Sequence, residues 1–568
     1  MLTFRSHTAP FLIVFALSAA ASALSATAAA QAPSATACDE LLLPPREVKG
    51  QKVGPASCRQ LETTVRLDNR DYTRLDLGLD GTVEGHLTKT EDGDYREYLT
   101  QSPDLVFGQS ADPGPRLFGV ARYERDKGAA MAVIFPKDRS AWNGKLWVTV
   151  HGRGASFKEG GLKAWDNNLN PADPLADLNK YDKLMLAKGF ALAKTKRTTA
   201  ENLGEIITTL EDGTTIDYAA FNDSAAYTKD FAEVAQQVLQ KRLGQAPQRN
   251  YFYGHSAGAR IGRGLNYTPG LNTRRDGKVF FDGLLLDDGA AGGWLPVVMK
   301  DGKDVLFATE AEKSAFVPQL DVSHQMYNNI WPSKKPDFMS SSYLANKRFN
   351  ARILREKGLT PKHRMYEVRS ISHSGGESLP EGRRGEIQIL DLSRMMDKFI
   401  DMVDLWVEKG TAPPPTRSDW AELGDVNKDG FIENPGLAFP EVACPLGVYY
   451  PYPGRTAGTT AYGAFTGGTD LEPLDANNVY VDMNNSGNWD FRETPTAAWR
   501  RLGLLGKGEE LTRERYSACV QKSAEALRKD GFFSDATVAG YLEQAKSADL
   551  QPKAAKTAPA PAAQKGGD

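Results

Sequence analysis

The pentapeptide Gly254-His255-Ser256-Ala257-Gly258 sets a serine between two glycines, each two residues away. A serine hydroxyl does nucleophilic chemistry only when it is held in place and a neighbouring base takes its proton. The flanking residues supply the holding. "NYFYG" (250–254) reads as a short aromatic strand, and a helix is expected to start directly after Ser256. In so tight a strand–turn–helix a Cβ at either glycine would clash, and the serine is forced out at the carboxyl end of a sheet. There it meets the N-terminal N–H groups of the following helix. The bland alternative is a turn of small residues, and the strand before and helix after argue against it.

The base has few candidates among the seven histidines. His7 lies at the extreme N-terminus, His86 and His151 precede the serine, and His255 is inside the turn. His363, between Lys362 and Arg364, reads as a solvated surface residue. His373 ends the strand-like run "YEVRSISHSGGE" and is followed by glycines that let a loop reach across a site. His373 is therefore the expected base, with His324 in reserve.

An oxyanion formed by attack on a carbonyl needs backbone N–H donors. Ala257, directly after the serine, offers one. The loop within "TVHGRGASF" (149–157) offers a second near Gly152 and Arg153, unless that stretch is a plain Gly-rich turn. The carboxylate that orients the histidine has four candidates. Asp287 and Asp288, in "LLLDDGAAGG", stand at a strand end. Asp321 reads as lying within the next strand, and Asp337 follows it.

A second constellation is independent of the first. "DMNNSGNWDFRE" places Asp482, Asn484, Ser486, Asn488 (through its carbonyl), Asp490 and Glu493 at positions 1, 3, 5, 7, 9 and 12 of an EF-hand-type loop, with Gly487 at position 6. Oxygen donors at this spacing wrap one calcium ion. "DVNKDGFIENPG" repeats the pattern with Asp425, Asn427, Asp429, Phe431 (carbonyl) and Glu433, but Gly436 stands where the bidentate carboxylate belongs. Ca2+ is expected here as a structural ion, the alternative being Asn/Asp-rich turns without metal. No organic cofactor is expected.

These residues need elements to carry them. "KLWVTV" (145–150) and "FFDGLLLDD" (280–288) read as buried strands, and "LMLAKGFALAKT" as helix end, Gly turn and strand. Phe231, Val234, Ala235, Val238 and Leu239 share one helical face behind a cap at Asp223 or Ser224. A long amphipathic helix over 389–407 is stopped by "GTAPPPT". Alternating strands and helices imply an α/β protein with a mostly parallel sheet and flanking helices. The expected order is an export signal over 1–30, a β-rich segment over 31–135 packed on the front, and a core over 136–410. A Gly/Asn-rich region with the calcium loops (411–500), C-terminal helices (501–550) and an Ala/Pro-rich tail (551–568) follow.

The chain has 568 residues, 41% hydrophobic and 25% charged, with a net charge of -3. That balance gives no electrostatic reason to expect nucleic acid or an anionic membrane as partner. Arg5 and His7 precede the apolar run Phe11–Leu24, followed by Ala28-Ala29-Ala30. The run is short for a bilayer span and reads as a cleavable signal, so a secreted or periplasmic protein is expected with no transmembrane segment. A lipoprotein anchor at Cys38 is disfavoured, because Ala-Thr-Ala precedes it. In an oxidising compartment the four cysteines suit two disulfides, with proximity favouring Cys38–Cys58 and Cys444–Cys519.

Residues 254–293, "VRSISHSGG" (368–376) and "PGLAFPEVACPLGVYYPYPG" (435–454) resemble the α/β-hydrolase superfamily, more narrowly a bacterial exported, esterase-like group. The resemblance spans about residues 140–500 and implies the α/β-hydrolase fold, with Ser256 as nucleophile and His373 as base. In that group a Glu-Tyr-Trp follows the strand after the elbow. Here the stretch reads "SHQMYNN", which favours the Asp287/Asp288 pair over Asp321. The expected activity is carboxylic ester hydrolysis through a Ser-His-Asp triad and an acyl-enzyme, on a small or oligomeric ester. A peptidase or amidase with the same triad, or a non-catalytic calcium-stabilised binding protein on this scaffold, are the alternatives.

Overall fold

The computed structural model describes residues 36–37, 46–48, 51–53, 57–80, 85–89, 95–98, 118–123, 129–151, 175, 178–196, 206–209, 215–218, 222–267, 271–274, 278–288, 297–300, 303–304, 306–324, 343–369, 371, 390–416, 436–446, 479–481, 491–493, 495–548 and 550. A sheet of ten strands forms its centre. In chain order these are β1 (Thr36–Ala37), β2 (Ser57–Leu67), β3 (Arg70–Asp80), β4 (Ala129–Pro136), β5 (Lys145–His151), β6 (Ala191–Lys196), β7 (Arg249–His255), β8 (Gly283–Asp287), β9 (Gln319–His324) and β10 (His363–Val368). Across the sheet they run β1-β2-β3-β4-β6-β5-β7-β8-β9-β10.

From β6 to β10 every pairing is parallel. Helices make the crossovers between these strands, as parallel pairing requires. They include α1 (Lys180–Ala187) before β6, α2 (Asn222–Leu243) before β7 and α3 (Ala257–Tyr267) before β8. The strands β1 to β4 pair antiparallel and extend the same sheet. The β-rich stretch expected in front of the core thus supplies one wing of it, and the sheet runs across the boundary expected at residue 135.

Strand alternation sorts the apolar residues to two faces. Leu146, Val148, Val150, Phe252, Leu284 and Leu286 meet α2 and α3 on one face. The face read from the sequence of α2, Phe231, Val234, Ala235, Val238 and Leu239, is buried there. The helix starts at Asn222, ahead of the cap expected at Asp223 or Ser224. Trp147, Leu192, Tyr251, Tyr253, Leu285, Leu320 and Val322 fill the other face.

That second face is covered by α1 and by α4 (Ser393–Lys409), which buries Met395, Met396, Phe399, Ile400, Met402, Val403 and Trp406. Gly410, in the left-handed region at φ +66°, ends α4 ahead of the prolines. The helices α5 (Arg513–Lys529) and α6 (Asp535–Ser547) join the same core through Val520, Ala524, Leu527 and Tyr541. A disulfide links Cys444 to Cys519 on α5. Cys58 falls in β2, while Cys38, its expected partner, and the export signal lie outside the described residues. No described helix is long and apolar enough to cross a membrane.

Candidate active site

Ser256 stands between the last residue of β7 and the first of α3. Its φ is +59°, the left-handed region that non-glycine residues occupy only when their surroundings force it. Those surroundings are visible. A Cβ on Gly254 would lie 2.2 Å from the Gly258 carbonyl oxygen, and one on Gly258 would lie 2.1 Å from that of Val150. The strand and helix touch so closely that only glycine fits on either side of the serine. The Ser256 N–H donates to the Asp287 carbonyl at 2.9 Å, and the Ala259 N–H donates back to the Ser256 carbonyl at 3.0 Å, starting the helix. Ser256 itself is partly exposed.

Parallel register brings the strand ends level. His151 closes β5 opposite His255, and His255 lies opposite Asp287 at the end of β8. The loop expected to hold Gly152 and Arg153 therefore leaves β5 beside the serine turn. Gly152, Arg153 and His373 themselves lie outside the described residues. Ala257 opens α3, so its N–H belongs to the helix's first turn.

Five buried groups meet behind the turn. Asp287 Oδ2 accepts from the Tyr253 hydroxyl at 3.0 Å and lies 2.9 Å from His255 Nδ1. Its Oδ1 is 2.9 Å from His324 Nε2. On the other side of that ring, Nδ1 is 3.2 Å from Asp288 Oδ2, and the His324 backbone N–H donates to Asp288 Oδ1 at 3.0 Å. Neither ring contact of His324 is aligned as a hydrogen bond. Asp288 has φ +44° and its N–H donates to the Val322 carbonyl at 2.8 Å. Asp287, Asp288 and His324 are all fully buried.

Burial favours the neutral form of Asp287 and of His324, and their pairing overrides it. Burial alone would raise the Asp287 carboxyl, but His324 and His255 hold it well below the usual carboxylate range. Burial would lower His324, and Asp288 and Asp287 raise it instead.

Asp321 belongs to a separate network. It lies in mid-strand on the α3 side of β9, where Oδ1 accepts from Arg263 of α3 at 2.7 Å. Its Oδ2 accepts from Gln319 at 2.6 Å and lies 2.8 Å from His363 Nε2. Burial opposes ionisation here too, and Arg263 and His363 outweigh it, holding Asp321 at about 2. His363 is thus not the solvated residue that its neighbours Lys362 and Arg364 imply. It is buried and bound to a carboxylate 42 residues away in the chain. Both His324 ring nitrogens face carboxylates and His363 faces Asp321, so neither presents the arrangement of a base on Ser256.

Among the described residues no group of three or more His, Cys, Asp or Glu is arranged to hold a metal ion. The loop residues Asp425, Asn427, Asp429, Phe431, Glu433, Asp482, Asn484, Ser486, Asn488 and Asp490 lie outside the described residues, as does Asp337. Glu493 ends a short strand, β12 (Phe491–Glu493), paired antiparallel with β11 (Val479–Val481). The second loop is therefore closed by strands, with Val481 opposite Phe491, where an EF-hand has helices.

A mostly parallel sheet, helices on both faces and a serine in a left-handed turn at the end of a central strand form one recognisable arrangement. The fold is that of the α/β-hydrolase superfamily. No protein-family model matches this chain, and no curated protein matches it. Solved structures similar to it include TT1662 from Thermus thermophilus, at 15% identity over 49% of this chain and 94% of that one (TM-score 0.25). An esterase from Thermogutta terrifontis, Est2 with butyrate bound, is similar at 12% identity over 50% and 91% (TM-score 0.29). LpqC, a poly(3-hydroxybutyrate) depolymerase from Bordetella parapertussis, is similar at 12% identity over 51% and 86% (TM-score 0.27). Overlaps this partial add nothing to the topology already described.

The contacts of His324 with Asp287 and Asp288, and the pairing of Tyr253 and His255 with Asp287, are the site features that sequence reasoning missed. One signal was present: Tyr253 and His255 alternate along a strand and so share a face, with an acid at the neighbouring strand's end.

Proposed function

We propose that the protein is an exported serine hydrolase that cleaves carboxylic esters. The observation that carries the proposal is Ser256 held at φ +59° between β7 and α3 by glycines that admit no side chain. A backbone strained at one residue, with that residue's hydroxyl set at a helix N-terminus, is what a nucleophile needs and a plain turn does not.

In this reading Ser256 Oγ attacks the acyl carbon while His373 takes its proton. The N–H groups of Ala257 and of the Gly152/Arg153 loop bind the oxyanion. His373 then returns the proton to the leaving alcohol, and water releases the acid from the acyl-enzyme by the same steps in reverse. Asp288 orients His373. Asp288 is itself bound, by His324, and its place rather than a free carboxylate favours it over Asp287 and Asp321. The Asp287 carboxylate is taken up by Tyr253, His255 and His324. Asp321 is bound by Arg263, Gln319 and His363 within its strand. Asp288 stands just past the end of β8, beside the peptide that binds the Ser256 N–H.

Export is supported by the Cys444–Cys519 disulfide, which suits an oxidising compartment. Ca2+ in the loops at 425–433 and 482–493 serves as a structural ion in the same reading.

The test is a fluorophosphonate probe on the mature protein, with the adduct mapped by mass spectrometry. An adduct on Ser256 that is lost in His373→Ala supports the reading. Folded protein that takes up no probe sinks it. Matched ester and amide substrates then separate an esterase from an amidase.

A further inference from the structure

One residue grips both aspartates at the end of β8. His324 reaches Asp287 with Nε2 at 2.9 Å and Asp288 with Nδ1 at 3.2 Å, and gives Asp288 its backbone N–H at 3.0 Å. The Asp288 backbone is in the left-handed region at φ +44°, which is strained for a non-glycine residue. It persists only where contacts fix it. The contacts that do so come from β9: the Val322 carbonyl takes the Asp288 N–H, and His324 takes the side chain.

Among the described residues, the charged and titratable groups facing this imidazole are Asp287 and Asp288 at the end of β8 and His255 from β7, whose ring centre is 6.4 Å away. Two carboxylates against one further histidine leave room for a second proton on the ring. A neutral ring would leave a lone pair on the side of one of the carboxylates, whereas a protonated ring carries an N–H on each side.

We propose that His324 is the positioning residue of the site, holding the Asp288 carboxylate at the end of β8 in the orientation from which it serves His373. This rests on the Ser256–His373–Asp288 reading above. His324 touches neither the serine nor the substrate in this role, and acts through Asp288 alone.

The experiment compares wild type, His324→Asn, Asp288→Asn and the double variant, each counted by fluorophosphonate titration of Ser256. Kinetics with p-nitrophenyl acetate are measured across pH. His324→Asn keeps the backbone donor and removes the ring. Its kcat is expected to fall about 100-fold with KM little changed, since a small misplacement of a catalytic group costs that much. Removing the ring also removes a positive charge near His373, so the acid limb of kcat/KM moves up by about half a unit or more. In the Asp288→Asn background the same substitution is expected to do nothing further, because the two act as one unit.

Wild-type kcat and an unmoved acid limb in a less stable His324→Asn would overturn the inference and leave a structural histidine. Additive losses in the double variant would overturn it as well. If His324→Asn does not fold, Asp287→Asn loosens the ring from its other side, and the same loss, absent in the Asp288→Asn background, is expected. A wild type that never labels at Ser256 is a different result, which removes the hydrolase reading itself.

Discussion

The Ser256 N–H and the Asp287 carbonyl oxygen are 2.9 Å apart, and this bond ties the Ser256 turn to the neighbouring strand. The turn is thus fixed from two sides. Strand β8 holds its backbone, while Gly254 and Gly258 let the strand and α3 close on it. Ser256 does not depend on its own side chain for its position.

Gly258→Ala tests that dependence. The added methyl would meet the Val150 carbonyl oxygen at 2.1 Å, and a backbone atom cannot swing away as a side-chain tip can. Overpacking of this kind costs about 1–3 kcal/mol. Denaturant melts are expected to show that loss, and the folded fraction is expected to lose fluorophosphonate uptake at Ser256. Unchanged labelling would mean the turn tolerates a wider gap than the structure has.

Asp321 and Asp288 are expected to respond in opposite ways to loss of charge. Asp321→Asn leaves Arg263 and His363 buried beside a neutral amide, and removing one partner of a buried pair costs about 3–5 kcal/mol. Turnover per folded molecule should stay near wild type. Asp288→Asn should lower kcat by about 10⁴-fold with a smaller change in stability. Activity lost in Asp321→Asn and kept in Asp288→Asn would reverse the assignment.

The elements and the turn at Ser256 were legible because their signals are local. The glycines around Ser256, the apolar face from Phe231 to Leu239 and the Gly410–proline stop after α4 each lie within a few residues of what they specify. The pairing of Cys444 with Cys519 also followed from counting. Asp288 and His324 are 36 residues apart, and only the parallel register of β8 with β9 brings them together. Asp321 and His363 likewise meet because β9 pairs with β10. Flanking Lys362 and Arg364 make His363 look solvated, and nothing within reach in the chain says otherwise. The membership of β1 to β4 in the central sheet was hidden for the same reason, since it rests on the pairing of β4 with β6.

Stability is expected to fall on both sides of neutrality, with different groups responsible. The folded protein lowers the Asp321 carboxyl from 3.8 to about 2 and lowers Asp287 as well. Their contributions are complete above the ordinary carboxylate value and are lost as the pH falls through the depressed ones. His324 is raised above its ordinary 6.5, so its contribution is complete below that value and is lost as the pH rises through the raised one. Melting temperature against pH should show both limbs. Asp321→Asn should flatten the acid limb while leaving the alkaline limb in place.

Calcium removal gives a further test. The loop over 482–493 is closed by the pairing of β11 with β12, a short ladder of three residue pairs that needs help to persist. An ion bound to the spaced oxygen donors would supply it. Chelation should lower the melting temperature by several degrees, calcium should restore it, and magnesium at equal concentration should not, since it resists such flexible oxygen sites. No shift on chelation would remove the ion from the proposal.

The Cys444–Cys519 bond should matter for stability more than for activity. The segment before Cys444 is docked on β10: the Leu437 N–H donates to the Glu367 carbonyl at 2.6 Å, and the Arg369 N–H to Leu437 at 2.9 Å. That segment therefore borders the strand that leads toward His373, and the disulfide ties it to α5. Closing a loop across a separation of 75 residues restricts the unfolded chain by about 4 kcal/mol. Phe439, Leu527, Phe532 and Phe533 stay in the core without the bond, so the C-terminal helices should remain docked. Cys444→Ser with Cys519→Ser should shift denaturant midpoints by up to that amount while keeping probe uptake at 25 °C. Loss of uptake in a variant that is still folded would show that the bond also holds the loop carrying His373.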